Sequence, residues 1–213
     1  MVTVDAHGAA RPTIAGLLAF GRDPGTFLPQ ACIEAAAYAG VERDSAQLLD
    51  WRRIGGAVGQ QVAEAMKFVD GAMRRPATKD VGRLDQPQYD LSAVYEAVVN
   101  AVAHRDYSVR GAKTRLYMFA DRLELYTPGS LPNSMTHDEL AHRVVTRNQL
   151  LVDFLRRIKS PSTGRGYLES RGEGVRRILE ASEAHAGLRP QYREFSQELL
   201  LTSWAKPSPH AAN

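Results

Sequence analysis

The stretch "EAVVNAVAHRDYS", Glu96 to Ser108, constrains this chain more than any other. Leu91, Val94, Tyr95, Val98 and Val102 recur at helical spacing, and Asp90 stands where an N-cap belongs. The other side is not an ordinary solvent face. It carries Glu96, Asn100 and His104 among Ala93, Ala97 and Ala103, with no lysine. Residues four apart lie about 40° apart around a helix, so the three polar groups stack along one edge. The apolar stripe faces a sheet, and the small residues let something approach the polar edge closely. Asp106 and Tyr107 continue the polar group where the helix runs out.

Around this helix the pattern reads as an α+β chain. "KTRLYMFA" and "RLELYT" predict two strands that meet at Asp121 in a hairpin. "TPGSLP" is a turn, and "THDE" has the form of a capping box, Thr136 with Glu139, opening a helix to Arg143. A further helix starts at Asn148, with Leu150, Leu151, Phe154, Leu155 and Ile158 on one face. "GEGVRRILEAS" starts a helix on two glycines, and "YREFSQELLLTSW" is strand material. The order fits a two-layer α/β sandwich with an antiparallel or mixed sheet. Earlier in the chain, "AGLLAF" and "CIEAAAY" read as short strands, and Ala46 to Met73 as helix. These marks divide the chain into residues 1–45, a helical connector 46–85, a main domain 86–204 and a disordered tail 205–213.

Bulk properties narrow the setting. No apolar run reaches the roughly 20 residues that cross a bilayer, and "MVTVDAHGAARPT" lacks a signal-peptide layout. Cys32 is the single cysteine, which leaves no disulfide framework and no thiolate metal site. A soluble cytoplasmic protein without a membrane partner is expected. Arg143 to Arg177 holds nine basic residues against three acidic ones, a local excess of six in a chain whose net charge is +3. Such a field favours a polyphosphate or nucleic acid, or else is a solvated basic face.

The polar edge suits a nucleotide with a metal. An asparagine carbonyl is a hard oxygen ligand for magnesium, and a carboxylate one turn away can orient or deprotonate water. An ordinary Glu96–Asn100 surface pair, with His104 at the helix end, uses the same spacing equally well. Gly172 and Gly174 at a helix start add an anion site made of backbone amides and the helix dipole. Arg176 and Arg177 in that first turn oppose the dipole, so they need an anion or an acidic neighbour.

In order, "EAVVNAVAHRDYS", "DRLELYTPGSLP", "RNQLL" and "ESRGEGVRRI" resemble the histidine-kinase-like (GHKL) ATPase domain of RecG-like transcriptional regulators. The partner domain in that group is a Schlafen-type AlbA DNA-binding domain, whose closing strands "PTIAGLLAFGRDPGTFLP" resembles. The resemblance covers roughly Pro12 to Trp204. It implies a Bergerat-type fold, with residues 1–45 a remnant of the DNA-binding domain. It also implies ATP and magnesium as cofactors. Glu96 would then be the general base, and Asn100 would hold the metal. His104, Asp106 and Arg176 would stand beside the nucleotide, Thr127 and Gly129 in the adenine turn, and Gly172 and Gly174 against the phosphates.

Two positions depart from that group. Thr127 stands where an aspartate accepts the adenine amino group, and Leu131 stands at the second glycine. Losing a charge-assisted hydrogen bond costs about 1.5–3 kcal/mol, or ten- to a hundredfold in affinity. A regulatory ATP-binding domain with slow or absent hydrolysis is therefore one expectation. The alternative is a non-enzymatic module that has lost nucleotide and contacts DNA through the basic stretch. A second copy of the chain is a further candidate partner. No GxxxxGK[ST] loop occurs, so helicase chemistry is excluded, and "HDELAH" spaces His137 and His142 wrongly for a zincin.

Overall fold

The computed structural model describes residues 1–73, 87–132, 135–143, 145–161, 164, 166–168 and 172–207. The loop expected between Arg74 and Asp90 lies mostly outside them, as does the tail from residue 208. Short strands β1 (Val2–Val4) and β2 (Ala10–Pro12) pair with each other, and α1 (Ile14–Phe20) follows. The main body is β3 (Ile33–Tyr38), β4 (Leu48–Ile54), α2 (Val58–Ala72), α3 (Leu91–His104), β5 (Thr114–Met118), β6 (Arg122–Pro128), α4 (Gln149–Arg157), α5 (Gly174–Ala186), β7 (Gln191–Phe195) and β8 (Glu198–Trp204).

Six strands form one mixed sheet in the order β4-β3-β5-β6-β8-β7, in which β3 and β5 run parallel and the other pairs antiparallel. One register row crosses it: Arg52, Ala35, Leu116, Leu125, Leu201 and Tyr192. Ala35, Leu116, Leu125 and Leu201 of that row are buried, because this is the face the helices cover. Val94, Val98 and Val102 of α3 join them in the core. Strand residues alternate across a sheet, so the neighbours of that row form the opposite face. There, charged and aromatic groups pair with one another: Lys113 with Glu34, Arg115 with Glu198, and the Arg115 guanidinium over the Tyr126 ring. The α+β class and the mixed sheet are as expected. No helix among the described residues is long and apolar enough to cross a membrane.

Three local expectations are corrected. "AGLLAF" is helical, because the Thr13 side chain accepts from the Gly16 amide and starts α1. Residues 48–54 form β4 rather than the start of a helix; "GG" at 55–56 separates it from α2, and Gly56 has φ +86°. The Thr136 amide does donate to the Glu139 carboxylate, but the helix after it is one 3-10 turn, Asp138–Ala141. The closing strand material is a hairpin, β7 and β8, turned at Ser196 with φ 51°. Beyond Trp204, the Ala205 amide donates to Asp121 and the Lys206 amide to Gln88.

Candidate nucleotide site

The C-terminal end of α3 is tied down on every side. Arg105 is 1% exposed, and its guanidinium donates to the carbonyls of Asp106, Val109 and Ala112. It also lies over the Tyr107 ring, and burial pulls its pKa down. The Tyr107 hydroxyl donates to the Val102 carbonyl at 2.7 Å. Asn148 donates to the carbonyls of Ala103 and Arg105, satisfying groups that a helix end leaves open. Arg147 donates to the carbonyls of His104 and Ser130 and faces the Asp106 carboxylate at 3.6 Å. Asp106 accepts from the Ser108 hydroxyl and amide, and these bonds hold its pKa below the usual carboxylate range. Gly129, at φ +115°, passes so close that a Cβ would meet Arg147 at 2.4 Å and Asp106 at 2.8 Å. "HRDYS", "TPGS" and "RNQ" are therefore parts of one clasp.

Beside this clasp, α3, α4, the start of α5, the sheet and residues 130–132, 135–143 and 145–146 line a cavity of about 160 Å³. Leu125, Val152, Leu199 and Leu201 give it an apolar floor, and Leu131, Pro132, Met135 and Leu140 a wall. Thr127, in β6, offers the floor a hydroxyl. Arg143 and Arg156 reach it from the other side. The Thr146 hydroxyl and the Arg156 Nε are buried and have no hydrogen-bond partner among the described residues, and both residues line the cavity. A void of this size holds about one aromatic ring, so a base would fill it and the rest of a nucleotide would extend beyond.

The polar edge of α3 opens into this cavity. Glu96, Asn100 and His104 all line it. Glu96 is 5% exposed, and Asn100 Nδ2 donates to its Oε1 at 3.4 Å. Gly174, the first residue of α5, is pressed onto the pair: a Cβ there would stand 2.1 Å from Glu96 Oε1 and 3.2 Å from Asn100 Nδ2. The small residues at this edge thus admit the start of another helix. His104 is desolvated and faces Arg156 and Arg147, which lowers its pKa to about 4, so its imidazole is neutral at pH 7. Tyr192 also lines the cavity; burial and the nearby Glu96 charge push its hydroxyl pKa up.

A magnesium ion fits the donor set. With its Nδ2 turned to Glu96, Asn100 keeps its carbonyl oxygen for a hard cation, and Glu96 supplies a carboxylate one turn away. Phosphate oxygens and waters complete such a sphere.

Of the expected site residues, Glu96, Asn100, His104, Thr127, Gly172 and Gly174 meet around one cavity. Asp106 and Gly129 stand outside it in the clasp. Arg176 points elsewhere, 3.0 Å from Glu173 and 4.0 Å from Glu180, which are the acidic neighbours its position called for. Sequence reasoning missed Arg156, Met135, Leu199 and Tyr192, because residues far apart in the chain carry no mark of a shared wall. It also missed the anchoring role of Arg105.

Residues 111–202 match a family model described as "Putative ATP-dependent DNA helicase recG C-terminal". The match supports an ATPase-like domain related to RecG. It takes in Thr127, Gly172 and Gly174, while Glu96 and Asn100 lie ahead of it. Among solved structures, the DIP2311 protein of Corynebacterium diphtheriae, a structural-genomics target, aligns with a TM-score of 0.70 and 23% identity. The alignment covers 97% of this chain and 39% of that one. That likeness shows the fold, and this chain spans well under half the length of its neighbour. No curated protein matches the chain.

Proposed function

We propose that the chain is a Bergerat-type ATP-binding regulatory domain, with hydrolysis slow or absent. The observation that carries this reading is the meeting of Glu96, Asn100 and the glycine start of α5 at one end of an apolar cavity. The base lies on the Leu125–Leu199 floor with Thr127 at its polar edge. The phosphates would extend toward Gly172 and Gly174 at the start of α5. Asn100 would hold magnesium through its carbonyl oxygen, and the ion would neutralise phosphate charge. Glu96 accepts the proton of an attacking water. Thr127 gives a neutral hydrogen bond where a carboxylate would give a charged one, so affinity is modest. Nucleotide occupancy then biases the start of α5, and a partner domain reads it.

The alternative, DNA contact through Arg143–Arg177, has less behind it. Arg143, Arg147, Arg156 and Arg176 each have a carboxylate partner within 4 Å. Titrating ATP with and without magnesium into the wild type and Asn100→Ala tests the proposal. Magnesium-dependent heat that the substitution removes supports it. No heat at millimolar ATP sinks it.

A further inference from the structure

The two edges of the sheet are unlike. β7 is five residues long with Arg193 at its centre, so pairing it with its own copy about that centre sets like charges together. β4 is longer, and on its outer side no described strand pairs with it. Exposed edges are usually blunted by charged side chains, lysine above all, by proline or by a bulge, and β4 carries Asp50, Arg52 and Arg53. β4 has neither lysine nor proline. Its register against β3 shifts once, leaving Leu49 without a partner there, so its regular ladder runs from Asp50 to Ile54. Apolar groups crowd this hairpin: Leu49 is 64% exposed, Trp51 53%, Val41 49% and Leu48 42%. A cluster of that kind beside open backbone hydrogen-bonding groups is costly to leave in water.

We propose that β4 pairs antiparallel with β4 of a second copy, about a two-fold axis at Trp51, joining two six-stranded sheets into one. Charge selects the register. With Trp51 opposite its own copy, Asp50 faces Arg52 and Arg52 faces Asp50. Asp50 and Arg52 already pair at 3.0 Å within the strand, so the two copies close a ring of alternating charge. Centring on Asp50 or on Arg52 instead opposes like charges, which is unfavourable. Centring between residues is excluded by the pleat, because the two-fold axis would oppose residues whose side chains point to opposite faces. Both tryptophans meet at the axis and leave water together. The interface is isologous, as closed dimers require. This inference stands apart from the nucleotide reading, since β4 contributes nothing to the cavity.

Sedimentation of the full chain up to about 100 µM, where modest interfaces associate, is the first test. A dimer is expected. Asp50→Arg alone and Arg52→Asp alone each weaken association about tenfold or more, and the double reversal restores it. Register is read by cross-linking. Cys32 is buried and does not compete. Trp51→Cys is expected to form a disulfide with its own copy on mild oxidation, because residues opposed at the axis lie about 4.5–5.5 Å apart. Arg53→Cys is not, because four strand steps put those positions about 13 Å apart. A chain that stays monomeric overturns the proposal. So does association indifferent to both single reversals, or equal cross-linking of the two cysteine variants.

Discussion

The two ends of the candidate site are built on opposite plans. At the C-terminus of α3, Arg105, Tyr107, Asn148 and Arg147 place several donors on backbone carbonyls, and little can move without breaking a bond. One to two turns earlier, Glu96 and Asn100 share a single long hydrogen bond and face a glycine at close range. The chemically loud motif, "HRDYS", is mostly mortar. The groups suited to chemistry sit where a bare glycine backbone comes close. An anchored end fixes where α3 points, and the adjustable end leaves room for a ligand to change the contacts.

This contrast can be broken from its strongest side. Arg105→Met removes the donors of buried carbonyls, and urea denaturation should show a loss of about 3–5 kcal/mol. A loss under about 1 kcal/mol would mean that the clasp does not hold the helix. His104, between the two ends, gives the next largest effect. Its folded pKa of about 4 lies below the unfolded value of 6.5. The stability it contributes is whole above pH 6.5. As pH falls the unfolded chain takes the proton first, so up to about 3 kcal/mol is lost by the time pH passes below 4. Chemical denaturation at pH 7 and pH 4.5 should show the drop in the wild type and a smaller one in His104→Leu.

At the adjustable end the expected effects are smaller. Gly174→Ala drives a methyl against Glu96 and should cost about 1–3 kcal/mol, because the carboxylate must shift. Combining it with Glu96→Ala should recover about 1 kcal/mol or more of that cost. Strict additivity of the two would show that they do not touch. Thr127→Asp sharpens the binding side. It restores a charged acceptor on the cavity floor, so ATP should bind about tenfold more tightly by calorimetry. Unchanged affinity would move the base away from Thr127.

What the sequence disclosed follows the same divide. α3 and the β5–β6 hairpin are legible because their periods are clean and Asp90 caps the helix. "AGLLAF" is too short for period to separate helix from strand, and only Thr13 tips it. β4 escaped because an exposed edge strand shows no alternation; its burial runs exposed along nearly its whole length. Glu96, Asn100, Gly172 and Gly174 were visible through spacing. Arg156 and Tyr192 were not, since the folding of α4 and β7 against α3 brings them there. For Arg105, nothing local foretells three carbonyls around it.

The parallel pairing of β3 with β5 carries a consequence for how the chain acquires its shape. Ile33 lies beside Thr114, with β4, α2 and α3 between them in the chain. The β3–β4 hairpin can form early from local contacts. It has no inner neighbour, though, until the β5–β6 hairpin exists. Closing so long a loop is slow, and an unpaired strand waiting for it is prone to wrong partners. On the ribosome, the first half of the sheet must therefore wait for the second half to be synthesised. Slow translation through residues 55–113 would lengthen that exposure, and the alanines of β3 would bear the risk.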